Sequence, residues 1–232
     1  MKLEKKTQVC AESTLFEMLS TLHHSELYAV MLVQRLLRGS FSDSAVEACA
    51  RKGGVGRTDA APAERVEDPA THARLLALLS SRGLSFSTLA HVPTRTSEES
   101  AAVRGVPLAS GAKAMLLKAS KPLPHGSPYL LAVLSAARKA DLRALRCALA
   151  QKSVSLASVD DVWRLTGCVP GAVPPFGSLF AGVKTYVDPS LVEQGEFINF
   201  NSALRGSSVI GLRTADFLRV EQPIVLAFSE PM

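Results

Sequence analysis

The chain has 232 residues, which suffices for one domain with a sizeable core plus an appendage, or for two small domains. Hydrophobic residues make up 47% and charged residues 20%, the usage of a soluble globular protein with an aliphatic core, so disorder is at most local. The apolar runs Leu130–Leu134 and Ile224–Phe228 fall far short of the roughly 20 residues of a spanning helix, which excludes a membrane span. The formal charge of +5 is unevenly placed: residues 1–69 carry nine basic and ten acidic side chains, residues 70–232 seventeen and eleven.

In chain order, MKLEKKTQVCAEST has no signal-peptide pattern, and with an early Glu it reads as the start of a cytoplasmic protein. Residues 14–38 place Leu15, Phe16, Leu19, Leu22, Leu27, Val30, Met31 and Val33 at helical spacing, so residues 1–50 are read as a helical N-terminal extension. Residues 51–69 are small, charged and turn-rich, a flexible linker with the domain boundary inside it. Within it KGGVGRT (52–58) resembles a phosphate loop. No apolar strand precedes it, no convincing helix follows, and Arg57 stands where the second lysine belongs, so the linker reading is preferred.

The remainder, 70–232, is regular. Asp68 and Pro69 open a helix that Gly83 ends, and residues 85–91 form a strand. Thr96 and Glu99 form a capping box opening a short helix closed by Gly105. Strands over 112–119 and 128–136 are joined by the turn KPLPHG. Asp141 caps a helix through Ala150, a short strand follows at VSLAS, and Ser158 starts a helix to Gly167. Strands near 183–188, 197–202 and 207–213, a helical turn at TADFLRV and a last strand PIVLAF complete the pattern. Many connections are too short for parallel crossovers, which gives an α+β domain with a mixed sheet and helices packed on it.

Several residues bear on chemistry. Arg95–Lys152 holds ten basic residues against Glu98, Glu99 and Asp141, which suits a polyanion such as RNA as well as it suits a merely solvated face. Lys113 shares a strand face with Met115 and Leu117; either it points to solvent at a sheet edge, or it sits against apolar surface and must find an anion, reach water or lose its charge. Residues 167–177, GCVPGAVPPFG, contain three glycines and three prolines, far more than a turn requires. Such a loop is either a stiff connection or a rigid set of amides, with the N–H groups of Gly171, Ala172, Val173, Phe176 and Gly177 free for a ligand oxygen. The four cysteines show no metal-ligand spacing and read as reduced thiols; Cys168 lacks an assignable base and is not read as a nucleophile. His91 and Asp188 read as structural on their own, and Asn201 and Ser202 as pocket donors or turn residues.

Taken together, His91–Glu99 (H-x-P-x-x-T-x-E-E), K-x-x-L-L from Lys113, L-x-x-x-T-G before the stiff loop, G-A-V-P-P-F-G from Gly171, V-D at Val187–Asp188 and F-N-S at Phe200–Ser202 resemble the YbaK/ProX family over residues 71–229. That family comprises free-standing aminoacyl-tRNA deacylases and the editing domain of bacterial prolyl-tRNA synthetases. The resemblance implies a mixed, strongly twisted sheet flanked by helices, and a pocket for the aminoacylated 3′ end of a mischarged tRNA. It implies catalytic roles for Lys113, Gly171, Ala172 and Pro175, and substrate contacts from His91, Thr96, Val173, Pro174, Phe176, Gly177, Asn201 and Ser202. It further implies water attack on the ester with neither a metal, a cofactor nor a protein nucleophile, and removal of a small amino acid such as alanine or cysteine from proline tRNA. The expected partners are tRNA and, through residues 1–69, an aminoacyl-tRNA synthetase, with no role for DNA or membrane. A non-catalytic tRNA- or synthetase-binding module of the same fold is the alternative.

Overall fold

The structure is a computed structural model, and it describes residues 67–232. The expected N-terminal helices, nearly all of the linker and the KGGVGRT stretch lie outside the described residues. Among the described residues no helix is long and apolar enough to cross a membrane.

Helix α1 (Pro69–Ser81) begins where the Asp68 carboxylate accepts the Ala70 N–H at 2.9 Å, and it buries Thr71, Leu75 and Leu79, one face at four-residue spacing. Strand β1 (Ser87–Ala90) leads to α2 (Ser97–Arg104), whose capping box is complete and whose C-cap Gly105 takes the left-handed conformation at φ +65°. A 3₁₀ turn at Leu108–Ser110 feeds β2 (Ala112–Ala119), followed by β3 (Tyr129–Ser135), β4 (Arg138–Ala140), α3 (Leu142–Ala148), β5 (Val154–Leu156) and α4 (Val159–Thr166). After the stiff loop and a second 3₁₀ turn (Gly177–Leu179) come β6 (Lys184–Val187), α5 (Pro189–Glu193), β7 (Phe197–Asn201), β8 (Ser207–Arg213), α6 (Thr214–Glu221), β9 (Ile224–Val225) and β10 (Ser229–Pro231).

The central sheet has the order β5-β2-β3-β6-β9. β2 is antiparallel to both neighbours, whereas β6 and β9 run parallel to the strands beside them, so the sheet is mixed. β1-β8-β7 forms a second, antiparallel sheet, and β4 with β10 a two-stranded ribbon. A lone bridge between Gly111 and Asn199 ties β7 to the start of β2. Alternation on β3 sends Leu131 and Val133 to one core and Leu130, Ala132 and Leu134 to the other, so this strand is buried on both faces.

Three elements differ from expectation. Asp188 is the N-cap of a helix with Pro189 in its first turn; at five residues α5 is too short to carry a readable period. β4 is three residues of charged and small side chains, visible only through its partner β10. The expected final strand is broken: β9 pairs through two residues, and the chain then turns so that Phe228 is buried and Ser229–Pro231 pair with β4.

Candidate active site

A cavity of about 240 Å³ opens where the N-terminal half of β2 meets α2, the stiff loop and the end of β7. Lys113, Thr96, Gly171, Val173 and Asn201 line it. His91, Ala172, Pro174, Pro175, Phe176, Gly177 and Ser202, expected in the pocket, do not. Residues that the sequence reading did not place in the site also line it, notably Thr94, Ser97, Ser100 and Arg104.

Lys113 is partly buried, as one of the two expected seats requires, but it is bonded to a neutral carbonyl and not to an anion. β2 is an interior strand, with Lys113 paired to Leu134 of β3, but β5 covers its other side only at Leu117–Ala119. That flank is therefore open beside Lys113. Its ammonium donates to the Arg138 carbonyl at 2.7 Å, leaving two N–H donors. Burial pulls the Lys113 pKa below that of an ordinary lysine, and the charge of Glu98 opposes the shift without reversing it. The Arg138 carbonyl is itself fixed from behind. The Arg138 guanidinium donates to the side chain and carbonyl of Ser229, and the Ser229 hydroxyl donates to Asp188 at 2.7 Å. Asp188, 2% exposed, also accepts the amides of Ser190 and Phe228.

The stiff loop is a wall of the core more than a set of free amides. Ala172 through Gly177 are buried, and Phe176 packs against Phe200 and edge-on against Phe217. Two amides expected to be free are engaged: Ala172 N–H donates to the Val169 carbonyl at 3.0 Å and Gly177 N–H to Thr185 Oγ1 at 2.9 Å. Burial of the loop is the physical reason, because a buried donor must be satisfied internally. Gly171 is exposed at φ +89°, and with Val173 it faces the cavity.

Both ends of the loop are fastened. At the start, the Gly171 carbonyl accepts Asn201 Nδ2 at 2.8 Å. At the end, Thr185 Oγ1 donates to Glu221, which is 5% exposed and also accepts the amide and hydroxyl of Ser178. A Cβ on Gly177 would lie 2.6 Å from Thr185 Oγ1 and 3.2 Å from the Thr185 nitrogen and the Val183 carbonyl oxygen. We therefore expect Gly177→Ala to lower stability by about 2 kcal/mol, read as a reduced urea midpoint at unchanged slope.

Arg104 organises the remaining wall. Its Nε donates to Ser208 Oγ at 2.8 Å and one Nη to Asn201 Oδ1, which fixes the Asn201 amide with its nitrogen toward Gly171. Burial pulls the Arg104 pKa down to about 10. His91 stands behind this wall: Nδ1 meets the Val92 carbonyl and Nε2 meets Ser208 Oγ, both at 2.7 Å, so the carbonyl fixes the tautomer and Nε2 accepts from Ser208. Ser202 is fully buried and bonded to Ser207. A sequence signal for Arg104 existed: within the capped helix, Ser97, Ser100 and Arg104 fall at three- and four-residue spacing, and this polar stripe is the one that lines the cavity. Cys168 is fully buried with its thiol pushed up to about 12 by that burial, which makes it a poor nucleophile.

Comparison with known proteins agrees with this architecture. Residues 91–220 match the model of the family described as aminoacyl-tRNA editing domain. The multifunctional Ser/Thr-tRNA deacylase ProXp-y of Escherichia coli is 40% identical over 166 residues, covering 71% of this chain and 96% of the relative. Among solved structures, one described as a candidate trans-editing enzyme for prolyl tRNA synthetase matches with a TM-score of 0.57 at 19% identity, over 69% of this chain and 97% of the other. A hypothetical protein matches with a TM-score of 0.58 at 19% identity, over 68% and 99%. The two structures establish the fold; the family match and the 40% identical relative go further, and the chain belongs to the aminoacyl-tRNA editing domain family.

Proposed function

We propose that this chain hydrolyses the ester between a small amino acid and the 3′ end of a tRNA to which that amino acid does not belong, with serine and threonine as its foremost substrates. Deacylation of mischarged tRNA follows from the family. The observation that carries the site assignment is the seat of Lys113, a cation anchored to one carbonyl and turned into a cavity whose opposite wall is a braced loop. Water attacks the ester carbonyl; Lys113 and the amides of Gly171 and Val173 receive the developing oxyanion. The bond to the ribose oxygen then breaks, and that oxygen leaves as a hydroxyl with a proton from the attacking water.

The choice of amino acid departs from the alanine or cysteine suggested by the sequence. Thr94, Ser97 and Ser100 make one wall of the cavity polar; the Thr94 and Ser100 hydroxyls bond to each other at 2.8 Å, which leaves Ser97 to meet a hydroxyl-bearing side chain, and the relative named above is a Ser/Thr-tRNA deacylase. At about 240 Å³ the cavity lies below the ~300–1,000 Å³ of drug-sized sites and suits one small side chain. A panel of tRNAs charged separately with serine, threonine, alanine, cysteine and proline tests the assignment. Serine and threonine should be released at least about tenfold faster than proline. Release of alanine or cysteine ahead of both would return the substrate to the earlier expectation. Cytoplasmic location and docking of a synthetase by residues 1–69 belong to the same proposal, and co-purification of full-length and 67–232 chains with synthetases would test the docking.

A further inference from the structure

The charge of the cavity is one-sided. Arg95, Arg104 and Lys113 line it, and no Asp or Glu does. Arg104 and Lys113 are bonded to neutral oxygens, and neither joins an ion pair among the described residues. Glu98 acts on Lys113 from outside the lining. Arg104 uses two of its five N–H donors on Ser208 and Asn201, which leaves three. A half-buried guanidinium without a counter-charge is costly, and its lowered pKa records the hydration it has lost.

The aminoacyl ester cannot supply the missing charge. The ester is neutral, and the α-amine is neutral or cationic. The nearest anion on such a substrate is the phosphodiester on the 5′ side of the terminal nucleotide, whose oxygens match a guanidinium fork. We infer that Arg104, with the exposed Arg95 at the rim, binds this phosphodiester and thereby registers the ester against Lys113. The inference rests on the deacylase reading for the identity of the substrate. It makes Arg104 a binding residue, in addition to its bond to Asn201.

The test is calorimetric binding of adenosine 5′-monophosphate and of adenosine to the full chain, which needs no turnover and so fails or succeeds separately from the deacylase reading. Wild type should bind the monophosphate at least about tenfold more tightly than adenosine, the scale of one charge-assisted bidentate contact. Arg104→Gln should reduce that advantage to about threefold or less with adenosine binding unchanged. Arg95→Gln, at an exposed position that leaves the fold intact, should reduce it in part. Equal binding of the two compounds by wild type would overturn the inference. So would an Arg104→Gln protein that keeps the full advantage while its hydrolytic rate falls, since Arg104 would then act on the oxyanion.

Discussion

Lys113→Ala is expected to slow single-turnover hydrolysis by about 100-fold or more while tRNA binding stays within a few-fold of wild type. The expectation follows from its seat: one bond to the Arg138 carbonyl holds the ammonium, and two donors remain for charge that develops only in the transition state. Lys113→Arg should not rescue, because a planar fork does not reproduce a compact ammonium beside Met115 and Ala136. Burial holds the Lys113 pKa below the ordinary value, so the ammonium is lost at a lower pH than that of an ordinary lysine. Activity should therefore fall on the alkaline side earlier than an ordinary lysine would dictate, and this limb should be missing from the residual rate of Lys113→Ala. A variant with full activity would remove Lys113 from the chemistry.

Asp188→Ala is expected to cost about 3 kcal/mol of stability, measured by urea unfolding, the largest loss anticipated from any single side chain discussed. The carboxylate gathers the amides of Ser190 and Phe228 and the hydroxyl of Ser229, and its removal orphans buried donors. It also releases the ribbon that presents the Arg138 carbonyl to Lys113, so the hydrolytic rate should fall by about tenfold beyond any loss of folded protein. Burial by itself would push the Asp188 carboxyl up, but the hydrogen bonds outweigh it and hold the pKa below its ordinary value. A carboxyl lowered in the folded state contributes stability above the unfolded value near 3.9, which is lost as pH falls through the folded value. Asp188→Asn should flatten that acid limb. If its stability and acid dependence equal those of wild type, the carboxylate does not hold the ribbon.

Local signals in the sequence were legible where a residue type has one physical use. Thr96 with Glu99, Gly105, Asp68 with Pro69, and Gly167 each cap a helix as read, and the alternation of β2 assigns Ala112, Ala114 and Leu116 to one core and Met115 and Leu117 to the other. The mixed sheet followed from connection lengths. The stiff loop was legible as stiff, but which of its amides were spent was not: that depends on Thr185 and Val169 supplying acceptors from the surrounding core. Of the expected site residues, Lys113, Thr96, Gly171, Val173 and Asn201 converge on the cavity. His91 supports it from behind through Ser208, and Pro175 and Phe176 belong to the wall. Arg104 is not legible from composition, which places it only in a basic stretch; its role depends on the helix face it shares with Ser97 and Ser100.

The most direct test of the central claim is the rate at which excess full-length wild-type protein releases serine from mischarged tRNA in a single turnover. The account predicts release at least about 100-fold above the spontaneous rate, leaving an intact tRNA that can be recharged. A tRNA that stays charged while bound to the protein would contradict it and make the chain a binding module with an editing-domain fold.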